Sequence, residues 1–262
     1  MVDLYELKEK VAELEKTAKL DGDHREKQIK ILQEISAKLI NEYEIKIGNL
    51  TIEPLLVEAY YYHEEKFPDN AVHAAKRSGK IAEQAHRRQQ KNFGKLYVHC
   101  PKGDGIDICM TDSDEYYLSF LIKNALVENQ WKTQFSIADE LCRKCNQCNE
   151  VSDCIYNDEI VLHKKDSSKN IKIVYLPRKG IFGDFACAPL AAFPLDNILD
   201  YNFTLPNGYK EQWKRAVYAL EHENMNEEKA LKLVKNKWGS RIEEKYWLLA
   251  KETLQNHKKD MK

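Results

Sequence analysis

The 262-residue sequence has no apolar run long enough to cross a bilayer, and its first twenty residues are charged rather than leader-like. A helical span needs about 20 consecutive apolar residues. Neither membrane insertion nor secretion is expected, and a cytoplasmic protein is. Internal repeats and low-complexity tracts are missing too, which excludes solenoid arrays. An excess of one charge is also absent. The 41 Lys and Arg residues stand against 42 Asp and Glu, a formal net charge of −1, so the chain as a whole is not an obvious polyanion binder.

What is present is a globular composition, 43% hydrophobic and 32% charged, long enough to bury a real core. The charge is unevenly spread. Residues 76–95 carry seven basic residues, among them Arg87, Arg88 and Lys95, against Glu83 alone; residues 101–160 carry 5 basic and 12 acidic ones. A basic stretch of this kind either meets phosphates or forms a solvated helix face.

The chain reads as helices, then strands, then helices. Leu4, Leu7, Val11 and Leu14 repeat at helical spacing behind an Asp3/Glu6 capping pattern, and Leu32, Ile35, Leu39 and Tyr43 do so behind Asp23/Glu26. The runs Leu55–Tyr62, Lys95–Cys100, Gly105–Thr111, Tyr116–Val127, Glu159–His163 and Ile171–Leu176 are rich in β-branched and aromatic residues and predict strands, with a helix over 76–90. After Pro206, Trp213, Val217 and Leu220 mark one helix, and Leu231, Val234 and Trp238 a second. A third follows a Ser240/Glu243 capping pattern, with Ile242, Tyr246 and Leu249 facing in. The expected fold is α+β: a curved, mainly antiparallel sheet with surrounding helices and helical extensions at both ends. The expected divisions are 1–48, 49–205 and 206–262.

Four of the seven cysteines crowd into Cys142-x2-Cys145-x2-Cys148-x5-Cys154. In a cytosolic chain this density indicates one metal or iron–sulfur site rather than disulfides. Consecutive x2 spacings resemble the loop that wraps a cubane cluster in bacterial ferredoxins, whereas zinc sites usually use two separated knuckles. A [4Fe–4S] cluster is favoured, with Zn²⁺ as the alternative. Cys100, Cys109 and Cys187 read as buried small hydrophobes.

In Leu55–Tyr62, Glu58 stands inside an otherwise apolar strand, and a period of two puts Leu56, Glu58, Tyr60 and Tyr62 on one face. A carboxylate there is paired, protonated or put to use, or else the strand is an edge with Glu58 facing water. Tyr97 and His99 share a face of the next strand, where a lone histidine is either a satisfied core residue or a functional one.

These residues fall in a familiar order. Val57-Glu-Ala-Tyr60, the histidine of Pro68-Asp-Asn-Ala-Val-His73, Gly94-Lys-Leu-Tyr-Val-His99 and Pro177-Arg-Lys-Gly-Ile181 resemble the successive motifs of the alkyladenine (3-methyladenine) DNA glycosylase family over roughly residues 50–200. The resemblance implies a monofunctional enzyme that flips a modified base out of DNA and hydrolyses its N-glycosidic bond. Glu58 matches the family's general base, which activates water for attack on C1′. Tyr60 and His73 match residues lining the base slot, and His99 stands where the family has a second stacking tyrosine. Lys102 replaces the intercalating tyrosine and could reach a phosphate. With Arg87, Arg88, Lys95 and Arg178 it makes the expected DNA-binding set. Asn124, beside Lys123, replaces an arginine. No lysine is placed by the sequence as an amine nucleophile. The cysteine cluster is an addition to the family pattern, expected to brace a polar loop. Two other readings keep the fold: a base-binding protein without catalysis, and an N-glycosidase for free nucleosides or nucleotides. DNA is the expected partner, with no protein partner indicated.

Overall fold

A computed structural model describes residues 4–47, 49–69, 71–72, 92–99, 105–111, 113, 115–144, 154–155, 162–166, 168, 170–178, 184–185, 188–195, 211–238 and 242–259. The expected helix over 76–90 and the expected strand start at Glu159 lie outside these. The chain divides into two compact units, Met1–Ile171 with Tyr175–Phe193, and Lys172–Val174 with Pro194–Lys262.

The first unit opens with α1 (Tyr5–Ala18) and α2 (Arg25–Glu42), packed together through Leu7, Val11 and Leu14 on one side and Ile31, Leu32, Ile35 and Leu39 on the other. Their caps differ from expectation. Leu4 and His24 are the N-caps, neither makes a side-chain cap bond, and the Asp23 carboxylate instead accepts from the Arg25 N–H at 3.0 Å. The second stripe also stops one residue short. Tyr43 turns extended and begins β1 (Tyr43–Ile47), feeding α2 directly into the sheet.

The sheet is antiparallel in every described pairing whose register is defined, and it curls as a half-barrel. After β1 come β2 (Leu50–Tyr62), β3 (Leu96–His99), β4 (Gly105–Cys109), β5 (Tyr117–Val127), β6 (Gln130–Thr133), β7 (Cys154–Ile155), β8 (His163–Lys164), β9 (Ile173–Leu176) and β10 (Ala191–Pro194). The spatial order is β7-β3-β4-β5-β2-β1-β8, with β6 on β5 and β10 on β2. The helix α3 (Gln134–Lys144), which the sequence pattern did not predict, packs Ile137, Ala138 and Leu141 against β4, β5 and β6.

Three helices of the second unit, α4 (Glu211–His222), α5 (Glu227–Trp238) and α6 (Glu244–Lys259), enclose Trp213, Val217, Leu220, Val234, Trp247 and Leu254. Leu231, expected inside, is exposed, whereas Val234 is buried as expected, together with Ala230. The architecture is α+β with helices at both ends, and no helix of the described residues is long and apolar enough to cross a membrane.

Charge ties the N-terminal helices to the sheet. Glu6 accepts from Lys164 of β8 at 2.7 Å and from Lys38 of α2 at 2.6 Å. These bonds hold its carboxyl down from the usual 4.5 to about 2, with Lys164 contributing most. A carboxyl depressed by folding stabilises above its unfolded pKa and loses that contribution as pH falls through the folded value. The stabilisation is thus complete above about 4.5 and gone below about 2. Because Glu6 is about two-fifths exposed, water screens the pair and the effect is small. Glu6→Gln is expected to lower the neutral plateau of a melting-temperature profile slightly and to leave its value below about pH 2 unchanged, so that the acid limb between these pH values flattens.

Candidate active site

Strand alternation alone does not account for the position of Glu58. The β2–β5 register shifts twice, between Pro54 and Leu56 and again between Leu56 and Val57. Leu55 is the extra residue on β2, and Lys123 is the extra residue on β5. Before the shifts the even residues Leu50 and Ile52 are buried, whereas after them the odd residues Ala59 and Tyr61 are buried and Tyr60 and Tyr62 are only half-buried. The extra residue Leu55 precedes Leu56, so Leu56 keeps the alternation of Glu58, Tyr60 and Tyr62. Such bulges re-aim side chains, here at the point where Lys123 comes to meet Glu58.

Cross-strand partners share a face. Glu58 pairs with Leu121, Leu121 with Asp107 and Asp107 with Tyr97. One residue pair along, Tyr60 faces Ser119, which faces Cys109, and Tyr62 faces Tyr117. A polar and aromatic surface thus runs across four strands. Gly105 lies on it with φ +152°, and a Cβ there would come within 2.5 Å of Leu121 Cδ1. The positive φ is what calls for glycine there, since the end of the Leu121 side chain could give way. The opposite face is the core: Val57, Ala59, Ile106, Ile108, Phe120 and Ile122 are buried, and α2 packs against β2. Tyr61 belongs there too, its ring 5.1 Å from that of Phe67.

Glu58 is fully buried. Its Oε2 accepts the Tyr60 hydroxyl at 2.8 Å and lies 3.4 Å from Lys123 Nζ, on a side chain that is itself mostly buried. A carboxylate in this position is compensated rather than stranded. Tyr60 stays protonated far beyond the usual range because burial disfavours the phenolate and the Glu58 charge adds to the penalty. The hydroxyl is thus a committed donor to Glu58. Tyr60→Phe is expected to cost about 1–3 kcal/mol in urea unfolding, since the ring still fits and only the donor to a buried charge is lost.

Arg178 sits over the Tyr60 ring, its guanidinium carbon 4.8 Å from the centroid. It donates through Nη1 to the Ala59 carbonyl at 3.0 Å. Its Nη2 lies 2.7 Å from Asp69 Oδ2, a pair held by charge rather than by an aligned hydrogen bond. Asp69 also accepts from the Ala71 N–H at 3.0 Å. Arg178, expected from sequence among the DNA-contacting cations, is only 2% exposed, so its charge acts inside the protein. Val72 and Tyr117 pack with Tyr60 and Tyr62 above the surface. Burial raises the hydroxyl pKa values of both Tyr60 and Tyr117, and the charge of the buried Asp107 adds to it. Burial pushes the Cys109 thiol well up, in keeping with a packed and unreactive cysteine.

The other expected residues are placed unevenly. Lys95 leads into β3, its N–H bonded to the Asn92 carbonyl. His99 is described by its backbone alone, paired with Gly105. His73, Arg87, Arg88, Lys102, Cys100 and Cys187 lie outside the described residues. Cys142 is on α3, and Cys154 pairs with Val98 through the backbone of β7. Cys145 and Cys148 are outside. Asn124, with its amide turned to satisfy both ends, donates to the Lys123 carbonyl and accepts from the Trp131 indole N–H at 3.2 Å. It holds the bulge rather than a ligand. Sequence reasoning gave no role to Asp69, and it named Lys123 only as the neighbour of Asn124. Asp107 had a signal, as an acid in the apolar run Gly105–Thr111 two residues from Cys109.

No protein-family model matches the sequence, and no curated protein does either. A buried carboxylate flanked by a phenol donor, a lysine and a cation-capped aromatic ring is the side-chain set of a general base.

Proposed function

We propose that the protein is a DNA N-glycosylase that hydrolyses the bond between deoxyribose and a modified base turned out of the duplex. The observation that carries this reading is the fully buried Glu58, with Tyr60 and Lys123 on its Oε2 and Arg178 over the Tyr60 ring. Glycosidic cleavage develops positive charge at C1′ and on the ring oxygen. One carboxylate then serves twice, taking a proton from the attacking water and stabilising the oxocarbenium character. Tyr60 offers its ring to the base, with the arginine plane behind it reinforcing the stack. The motif order around Glu58, Tyr60, His73, His99 and Arg178 supports the assignment, and the basic run containing Arg87, Arg88, Lys95 and Lys102 supplies cations for phosphates. A cytoplasmic location accords with clustered thiolates.

Oligonucleotides carrying hypoxanthine, ethenoadenine or 3-methyladenine test the reading directly. Wild type should generate alkali-labile sites on at least one of them and Glu58→Gln should not. Scission by both proteins, or by neither despite tight binding, refutes it. Base release from free nucleosides alone moves the chemistry to that substrate.

Cys142, Cys145, Cys148 and Cys154 belong in this reading to a [4Fe–4S] cluster with a bracing role. Anaerobically purified protein should contain about four irons and absorb in the visible, by the stoichiometry of a cubane held by four thiolates. Zinc in place of iron would overturn that choice.

A further inference from the structure

We propose that Lys123 is an amine nucleophile, and that the protein therefore cleaves the DNA strand at the abasic sugar it produces. The inference rests on the glycosylase reading and adds to it a lyase activity that the sequence alone did not place. Its basis is the bulge. Lys123 is the one residue of β5 left without a partner between Asn124, opposite Leu56, and Ile122, opposite Val57. The irregularity turns its side chain toward Glu58 and buries most of it, with Nζ 3.4 Å from Oε2. Water activated by Glu58 must lie within hydrogen-bond reach of the carboxylate, and C1′ beside that water. A sugar held on the side of Glu58 that Lys123 occupies is then within reach of both groups. A lysine whose only task was to neutralise Glu58 would need no such access to the sugar, and the two roles differ in what can be trapped.

The steps balance with the groups present. Once the base has left, the C1′ hemiacetal opens to an aldehyde. Glu58 takes a proton from the Lys123 ammonium, and the freed nitrogen lone pair attacks C1′ to form a carbinolamine. Glu58 returns the proton to the carbinolamine oxygen, water departs, and an iminium ion joins Nζ to C1′. The Glu58 carboxylate then removes a proton from C2′. The C–H electron pair becomes the C1′–C2′ double bond of an enamine, which re-forms the iminium as a C2′–C3′ double bond develops and the C3′–O bond breaks, its electron pair leaving on the 3′ phosphate oxygen. Water hydrolyses the unsaturated iminium and restores the amine.

The experiment supplies the abasic site ready-made, so that it does not depend on base release. An oligonucleotide with a single abasic site is incubated with the full-length protein and sodium borohydride, which reduces the iminium to a stable secondary amine. Wild type should give a covalent protein–DNA adduct, and peptide mapping should place it on Lys123. In Lys123→Arg, which keeps the cation beside Glu58, the adduct should be lost, with circular dichroism confirming the fold. Absence of an adduct with wild type, mapping to another amine, or an undiminished adduct in Lys123→Arg overturns the proposal. Base release from modified oligonucleotides without an adduct refutes Lys123 as nucleophile and leaves the glycosylase reading standing. An adduct on Lys123 without base release from any of them does the reverse.

Discussion

Glu58→Gln should reduce single-turnover base release by roughly 10²–10⁴-fold, the range for loss of a positioned general base. Glutamine keeps the shape of the side chain, and its amide oxygen can still accept the Tyr60 hydroxyl that now lies 2.8 Å from Oε2. What disappears is the basic site and the negative charge facing the developing cation at C1′. DNA binding should survive, and it should tighten at low salt, because a carboxylate no longer opposes the incoming phosphates. Glu58→Ala is a poorer probe. It would empty a fully buried position and leave Tyr60 and Lys123 without their acceptor, so lost activity could not be separated from lost packing. A Glu58→Gln protein within about threefold of wild type would show that Glu58 is not the general base, whose loss costs far more.

Why Glu58 could be singled out from sequence, and Lys123 could not, is a matter of period and register. An acid in the run Leu55–Tyr62 stands out against its neighbours, and the alternation that puts Tyr60 beside it operates within one strand. The double register shift belongs to a pair of strands separated by some sixty residues, and no local pattern in β2 or β5 announces it. Its effect is to exchange which residues of β2 face the core and to bring Lys123 to the face of Glu58. The same distinction runs through the fold. The stripes of α1 and α2 and the strands β2, β4, β5 and β9 were legible because each is periodic in itself. The β5–β6 hairpin was passed over although it has a signal. Glu128 and Asn129 take φ values of 50° and 62° between the paired Val127 and Gln130, a two-residue turn that asparagine tolerates. The first strand was hidden because Tyr43 continues the spacing of Ile35 and Leu39, and only the backbone turn at Tyr43 ends the helix there. Arg178 was found for its motif but assigned to the wrong surroundings. An arginine on a surface and one stacked in a core look alike in sequence when the partner, Asp69, lies more than a hundred residues away.

That buried pair carries the largest expected effect on stability. Arg178→Met should lower the stability of the first unit by about 3–5 kcal/mol, the usual consequence of removing one partner of a buried ion pair. Methionine approximates the length of the side chain, so little of the loss is cavity. Most of it comes from Asp69, 1% exposed, which would lose the guanidinium beside its charge, and from the Ala59 carbonyl, which would lose its donor. For a unit of this size the melting temperature should fall by roughly 6–20 °C, at about 2–4 °C per kcal/mol. Pairing Arg178→Met with Asp69→Asn should recover a large part of this, because the carboxylate charge is gone while an amide oxygen can still accept from the Ala71 N–H at 3.0 Å. Recovery of stability should not bring recovery of activity. Tyr60 would remain without the guanidinium that lies 4.8 Å from its ring and fixes it on the Glu58 side of the surface. Thermal unfolding of the two single variants and the double variant, followed by near-ultraviolet circular dichroism, separates these terms. If Arg178→Met alone melts with wild type, the arginine is neither buried nor paired as described. If the double variant regains both stability and base release, the cation over Tyr60 serves packing only.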